Sequence, residues 1–254
     1  MDENIYLKII LDKWTNSINK DSLKYELGYI ISLIERWAGN NLQGIYLSGS
    51  LAKGTSISGS SDVDFLISLS HQTQASLKEI YESLCLCLFK SELRPRRQHV
   101  SLGIEYSGYN IDLVPAKKQL GNTNYHSLFN NKTNTWLQTN IQKHIDFVVE
   151  SGRVNEIKLI KIWAKNHNLD FPSILIEHIV IEALRNKRKN DFNLAENIST
   201  VFRYIVNEIE TTRIVDISNT NNIISDDINI FEKRKISQEA FMSLNKAYWE
   251  NIIW

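Results

Sequence analysis

The spacing of apolar positions changes along the chain. Leu7, Ile10, Leu11 and Trp14, and then Leu23, Leu27, Ile30, Ile31, Ile34 and Trp37, recur at three-to-four-residue intervals, which predicts two amphipathic helices that each bury one face. The period then shortens. Residues 44–48 read as a strand, 49–61 as a Gly/Ser-rich turn and loop, and 62–69 as a second strand. A helix is expected over about 75–89 and a strand over 99–106. After a turn at Ser107-Gly108 comes a strand over 110–114, stopped by Pro115, which cannot donate to a ladder; the last two strands should form a hairpin. From about residue 119 strand signals fade, and helices are expected over 136–149, 155–166, 174–185, 194–209 and 232–248. The polar, Asn/Asp-rich stretch 211–229 reads as a long loop between helices. The pattern therefore predicts an α/β first half, to about residue 118, followed by an all-helical second half over 119–254.

Composition narrows this picture. With 254 residues, 43% of them apolar, and only ten Gly and three Pro, the chain can build one large or two modest packed domains. Lys plus Arg and Asp plus Glu both number 29, so there is no overall basic field for long nucleic acid, and any such binding needs a local patch. Cys85 and Cys87 are too close for an ordinary structural disulfide and match no zinc knuckle, so they are expected to be buried thiols in a reducing compartment. The opening Met1-Asp-Glu-Asn is not a leader pattern, and no apolar run approaches the roughly 20 residues that cross a bilayer. A cytoplasmic protein without a membrane partner is the expectation.

The chemistry lies in residues 47–67, where Gly49-Ser50 is followed twelve residues later by Asp62-Val-Asp64. Residues two apart on a strand share a face, so Asp62 and Asp64 should project together while Val63 and Phe65 face a core. Clustered carboxylates repel one another unless a cation lies between them, which points to a divalent metal. Asp112, between Ile111 and Leu113, is a third acid in apolar company, where an uncompensated charge is expensive. Gly49 and Ser50 follow a strand, so backbone N–H groups and the hydroxyl can meet phosphate oxygens, with Lys53, Gly54 and Thr55 extending the polar turn. An Asp-x-Asp or a Gly/Ser turn alone is ordinary strand-edge and loop chemistry; three acids in apolar strands behind a Gly-Ser are not.

At these residues the sequence resembles the polymerase β-like nucleotidyltransferases, with a Gly-Ser, then Asp-x-Asp, then a third Asp on a later strand. Gly-Ser-Leu-Ala-Lys-Gly-Thr-Ser-Ile and Ile-Asp-Leu-Val-Pro-Ala resemble the branch of the 2′-5′-oligoadenylate synthetases, the cGAS/DncV-like signal synthases and the archaeal-type CCA-adding enzymes. Residues 156–163 and 173–184 resemble that branch's helical domain, and 216–227, with Asn221-Asn222, its Asp-Pro…Asn-Asn stretch, although Ile217 stands where Pro is expected. The resemblance implies an α+β protein, with a nucleotidyltransferase palm, a mixed β-sheet with flanking helices, over residues 1–118 and a helical domain over 119–254 that completes the nucleotide cleft. It implies two Mg²⁺ or Mn²⁺ ions on Asp62, Asp64 and Asp112, and transfer of NMP from an NTP, ATP favoured, to a hydroxyl with loss of pyrophosphate. Lys161, with Lys158 second, is expected on the phosphates, and His144 with Thr139 near the nucleotide; Tyr204 is a candidate to stack on the base. Arg94, Arg96 and Arg97 form a small basic cluster best read as a solvated turn.

The acceptor stays open. A small cyclic or linear oligonucleotide signal suits the neutral charge. Alternatives are tRNA or other RNA as acceptor, a small molecule or protein acceptor, and a catalytically silent nucleotide-binding partner, which the presence of all three acids disfavours.

Overall fold

The computed structural model describes residues 1–15, 18, 20–59, 62–121, 123–189 and 192–254, with residues 20, 21 and 24 described by backbone alone. Ser60 and Ser61, in the loop expected over 49–61, lie outside the described residues. In chain order the elements are α1 (Glu3–Lys13), α2 (Lys20–Glu26), α3 (Gly28–Ala38), β1 (Leu42–Leu47), α4 (Gly49–Lys53), β2 (Val63–Leu69) and α5 (Leu77–Lys90). There follow β3 (Arg96–Arg97), β4 (Leu102–Tyr106), β5 (Tyr109–Lys118), β6 (His126–Asn130), β7 (Thr135–Thr139) and α6 (Ile141–Ser151). The chain ends with α7 (Val154–Asn166), α8 (Ser173–Ala183), α9 (Leu194–Glu208), β8 (Val215–Asp216), β9 (Asn219–Ile223) and α10 (Ile230–Leu244).

These elements fall into two compact units. A sheet unit comprises Ser17–Lys53 and Ser60–Ile145, and a helical unit comprises Met1–Asn16, Gly54–Gly59 and Asp146–Trp254. The mixed sheet is as the resemblance implies, and the second half is rich in helix, although β6 to β9 fall in the stretch expected to be all-helical. Neither unit is continuous in sequence: α1 belongs to the helical unit, and the sheet unit continues to Ile145.

The sheet runs β1-β2-β5-β4-β3, with β6 beside β5 and β7 beside β6. β2 and β5 are parallel, and the other pairs are antiparallel. Val63, Phe65, Ile67 and Leu69 of β2, with Ile111 and Leu113 of β5, share one core with Ile30 and Ile34 of α3 and Ile80, Leu84 and Leu88 of α5. Burial of each such side chain contributes about 1.5–3 kcal/mol. That core consumes the odd-numbered face of β2, and the even-numbered residues, including Asp64, take the other face. Ser107 (φ 50°) and Gly108 (φ 78°) both adopt positive φ in the two-residue turn of the β4–β5 hairpin, the backbone of a type I′ turn.

Several expectations need correction. The second helix is two, α2 and α3, broken before Gly28, a residue that costs about 1 kcal/mol inside a helix. β5 does not stop at Pro115. Pairing with β4 ends at Leu113 and pairing with β6 begins at Ala116, so the proline falls where the strand changes partners and its missing N–H breaks no ladder on that side. The stretch from 136 is strand up to Thr139, because β6 and β7 continue the ladder beside β5 where β4 has ended; helix begins only at Ile141. The supposed loop 211–229 contains the β8–β9 hairpin, held by buried Asp216, whose Oδ1 accepts from Ser218 N (2.7 Å) and Ser218 Oγ (2.9 Å) and whose Oδ2 accepts from Asn222 Nδ2 (3.3 Å). Cys85 and Cys87 are free thiols on α5, half-buried rather than buried. Among the described residues no helix is long and apolar enough to cross a membrane.

The helical unit packs around Trp163 of α7 and Phe202 of α9, both fully buried, with ring centroids 4.9 Å apart. Trp163 Nε1 donates to Ser243 Oγ (3.0 Å), so the indole N–H is satisfied inside the core. At the start of α7, buried Arg153 pairs with Glu156 (3.0 Å) and donates to the carbonyls of Leu184 (3.2 Å) and Lys187 (2.5 Å), while Asn197 Nδ2 donates to Glu156 Oε1 (2.8 Å). The guanidinium thus closes the C-terminal end of α8 and anchors the helix that carries Lys161. Removing one partner of a buried pair leaves the other charge uncompensated, so Arg153→Met should destabilise the protein by about 3–5 kcal/mol in urea unfolding. The double change Arg153→Met, Glu156→Met should recover part of that loss.

Candidate active site

β2 and β5 bring two of the expected acids together. Their parallel register pairs Asp64 with Asp112, and Asp62 lies two residues before Asp64 at the edge of the strand. Asp62 is exposed, and Asp64 and Asp112 are half-buried. The carboxyl of Asp112 titrates above the usual carboxylate range, first because burial disfavours its charge and next because Asp62 repels it. Opposing this, Gln98 Nε2 donates to Asp112 Oδ1 (2.9 Å), Arg96 attracts the charge, and Ser101 Oγ approaches Oδ2 (3.5 Å). Ser101 Oγ also donates to Gln98 Oε1 (2.8 Å), so the amide is held in the orientation that aims its N–H groups at the acid.

Two glycines make room for these groups. Gly49 follows β1 with φ +61°, a conformation side chains avoid, and a Cβ there would overlap Asp64 Oδ2. The Asp64 carboxylate therefore lies directly against the Gly-Ser turn. The turn is further tied to β2 by Ser48 N donating to Asp64 O (2.8 Å). Gly103 of β4 stands opposite Asp112, where a Cβ would be 2.7 Å from Gln98 Nε2 and 3.1 Å from Asp112 Oδ1. Gln98, Ser101 and Gly103 escaped the sequence reading. A glycine inside a strand opposite a buried acid was the available signal, since such a glycine marks a close approach.

The remaining expected residues are distributed over both units. Ser50 and Lys53 lie on α4 and His144 is half-buried on α6, all in the sheet unit. Thr139 closes β7 opposite His126. In the helical unit Lys161 is buried on α7 and donates to the carbonyl and hydroxyl oxygens of Thr55, both at 3.3 Å. It is not a solvated lysine. Lys158 is half-buried, and burial pulls its ammonium below the usual lysine range. Tyr204 is partly buried beside the core of the helical unit. Two arginines of the cluster are ion-paired: Arg97 is bidentate to Glu82 (2.6 and 2.5 Å) and Arg96 meets Glu105 (3.3 Å).

Among the described residues no group of three His, Cys, Asp or Glu side chains is gathered tightly enough to hold a metal ion. The donors nevertheless fit a hard divalent cation. They are all carboxylate oxygens, two stand in register on adjacent strands, and the repulsion of Asp112 by Asp62 is what a cation would relieve.

The fold belongs to a recognised class. A family model for the nucleotidyltransferase domain matches residues 30–237, most of the sequence, and the chain belongs to that family of enzymes. The cyclic AMP-AMP-AMP synthase of Escherichia coli strain MS 115-1 is 29% identical over 189 residues, a match that covers 66% of this chain and 58%, less than two thirds, of the relative. Among solved structures, E. coli MS115-1 CdnC with ATP superposes with a TM-score of 0.79 at 20% identity, covering 96% of this chain and 90% of that one. The CD-NTase CdnG of Bradyrhizobium diazoefficiens in complex with GTP superposes with a TM-score of 0.77 at 12% identity, covering 96% and 91%. The fold is that of the CD-NTases, as the resemblance of the motifs implied.

Because the folded-state pKa of Asp112 is raised, its ionisation costs stability: the penalty is absent below the unfolded pKa of about 3.9 and fully present above the folded value. Asp112→Asn should therefore raise the melting temperature of the metal-free protein at pH 7 and lose that advantage as the pH falls towards 3. Addition of Mg²⁺ should raise the melting temperature of the wild type more than that of the variant.

Proposed function

We propose that this protein transfers a nucleoside monophosphate from an NTP to a ribose hydroxyl of a second nucleotide and releases pyrophosphate, building a small cyclic oligonucleotide. The observation that carries the reading is the in-register pair Asp64 and Asp112, with Asp62 beside them and the Gly49-Ser50 turn in contact with Asp64. The curated relative named above makes a cyclic trinucleotide, and the two solved structures contain ATP and GTP. These relatives lend no support to an RNA acceptor.

In this reading Gly49 and Ser50 receive the leaving phosphates of the donor through backbone N–H groups and the hydroxyl, and Lys53 and His144 of the same unit are further nucleotide contacts. The attacking hydroxyl forms a bond to the α-phosphorus as the bond to the bridging oxygen breaks, its proton passes to solvent, and pyrophosphate departs. Two Mg²⁺ or Mn²⁺ ions held by Asp62, Asp64 and Asp112 would supply charge compensation for the phosphates and acidify the hydroxyl. Gln98 and Ser101 keep the carboxylate of Asp112 pointed in one direction, and Gly49 lets Asp64 approach the turn; the chain contributes mainly positioning.

The test is incubation with each α-labelled NTP and Mg²⁺ or Mn²⁺, with and without total tRNA. A phosphatase-resistant small product formed without RNA is expected, and Asp62→Asn with Asp64→Asn should abolish it while the circular dichroism spectrum is unchanged. Label only in RNA, or full activity of the double variant, would overturn the reading.

A further inference from the structure

On the face of β2 that carries Asp64, the alternation continues with Leu66 and Ser68. There a cavity of about 140 Å³ opens, lined by Tyr46, Leu66, Ser68, Lys118, Asn124 and His126 among others. It has room for a single flat ring system rather than a whole nucleotide. With a rise of roughly 3.3 Å per residue, Leu66 stands about 7 Å and Ser68 about 13 Å beyond Asp64. The Gly49-Ser50 turn lies at the other end of the strand, because Leu47 pairs with Phe65 and the chain runs on past Val63. In phosphoryl transfer the attacking and leaving oxygens are roughly in line. If pyrophosphate leaves towards the turn, the nucleotide that attacks extends from the acids towards this cavity.

The polarity of the cavity floor is fixed by two hydrogen bonds. Asn124 O can only accept, so His126 Nδ1, 3.1 Å away, carries the ring proton. Burial, with Lys118 nearby, holds the imidazole below the usual histidine range, so the ring is neutral at pH 7 and Nε2 has a free lone pair. Nε2 lies 2.8 Å from Ser68 Oγ and therefore takes the serine proton. What Ser68 presents to the cavity is lone pairs alone.

We propose that this cavity holds the base of the accepting nucleotide, and that Ser68, locked as a hydrogen-bond acceptor by His126, selects adenine through its exocyclic amine. Ser68 is only 1% exposed, so a group must project from the ring to reach it. The 6-amino group of adenine projects and donates. The 6-oxo group of hypoxanthine would set lone pair against lone pair, and its ring N–H is recessed. Lys118, in register with His126 on β5, can donate to the ring nitrogen beside the amine. The ring of Tyr46, 46% exposed and leaning across Gly44, offers a face for stacking. The assignment of the base to the acceptor rests on the transferase reading; the preference for adenine is a property of the cavity itself.

The experiment is a titration of the full chain, without metal, with adenosine and with inosine, followed by ligand-observed NMR. Adenosine should bind about tenfold more tightly, the worth of roughly one hydrogen bond made rather than lost. Ser68→Ala should bring the ratio close to one. His126→Leu frees the serine proton to donate to a 6-oxo group and should shift the preference towards inosine, an opposite change that general damage to the fold would not produce. Equal binding of the two nucleosides by the wild type, or a preference that persists in Ser68→Ala, overturns the proposal. The Asp62→Asn, Asp64→Asn double variant should keep the preference. A protein that prefers adenosine but transfers no nucleotide would overturn the transferase reading alone, and one that transfers nucleotides without base preference would overturn this inference alone.

Discussion

The parallel register of β2 and β5 is the constraint on which the rest of the molecule depends. It sets Asp64 beside Asp112 and assigns every residue of both strands to a face. A slip of β2 by one residue would turn Asp64 under α3 and α5 and take Val63 and Phe65 out of that core, exchanging buried apolar side chains for buried charge. The hydrophobic core on one face therefore enforces the carboxylate pair on the other. Parallel neighbours also need a crossover, which α5 and the following strands supply; the same helix that makes the connection fills the core that fixes the register.

Buried charge is handled in two opposite ways. Arg153 and Glu156 are almost wholly enclosed and satisfy one another, with backbone carbonyls and Asn197 taking up the remaining hydrogen-bonding capacity. That arrangement is static. Asp112 is partly drawn out of water, but the neighbour that influences it most is another acid, and the neutral donors Gln98 and Ser101 orient its charge without cancelling it. A carboxylate half-buried, oriented and under-compensated is poorly arranged for stability and well arranged for a cation and a phosphate.

Much of this was legible in the sequence, and the reasons are specific. Asp62-Val-Asp64 alternates between solvent and core, Ile111-Asp-Leu113 does the same, and alternation is the one signal a strand cannot hide. Gly49 was readable as a turn residue, but not that Asp64 lies on it, since that contact joins separate strands. The long-range register likewise hid Gln98 and Ser101. Pro115 misled because a proline is read against a single partner, and here the strand has two in succession. Trp136 and Leu137 suggested a helix because apolar spacing over a short window suits either period; only the ladder to β6 decides for strand. The β8–β9 hairpin was hidden in polar residues whose side chains, Asp216 above all, hold the turn that a hydrophobic pattern would otherwise have signalled.

The same alternation bears on Ser68 and His126. A serine and a histidine buried in contact at the end of a sheet core would be replaced at little cost by two apolar residues if their only task were packing, because a neutral hydrogen bond adds about 1 kcal/mol net and leaves two polar groups to satisfy. Their neighbours on that face are apolar: Leu66, Ala116 and Leu128 form a small core of their own beside them. What the polar pair supplies that an apolar pair does not is direction. The chain of bonds from Ser68 through the ring to the carbonyl of Asn124 begins at the cavity and ends at an atom that can only accept, so every proton in it is assigned from that fixed end. A surface hydroxyl rotates to suit whatever meets it; this one cannot, and an inflexible polar atom at the floor of a small cavity discriminates between ligands where a flexible one accommodates them.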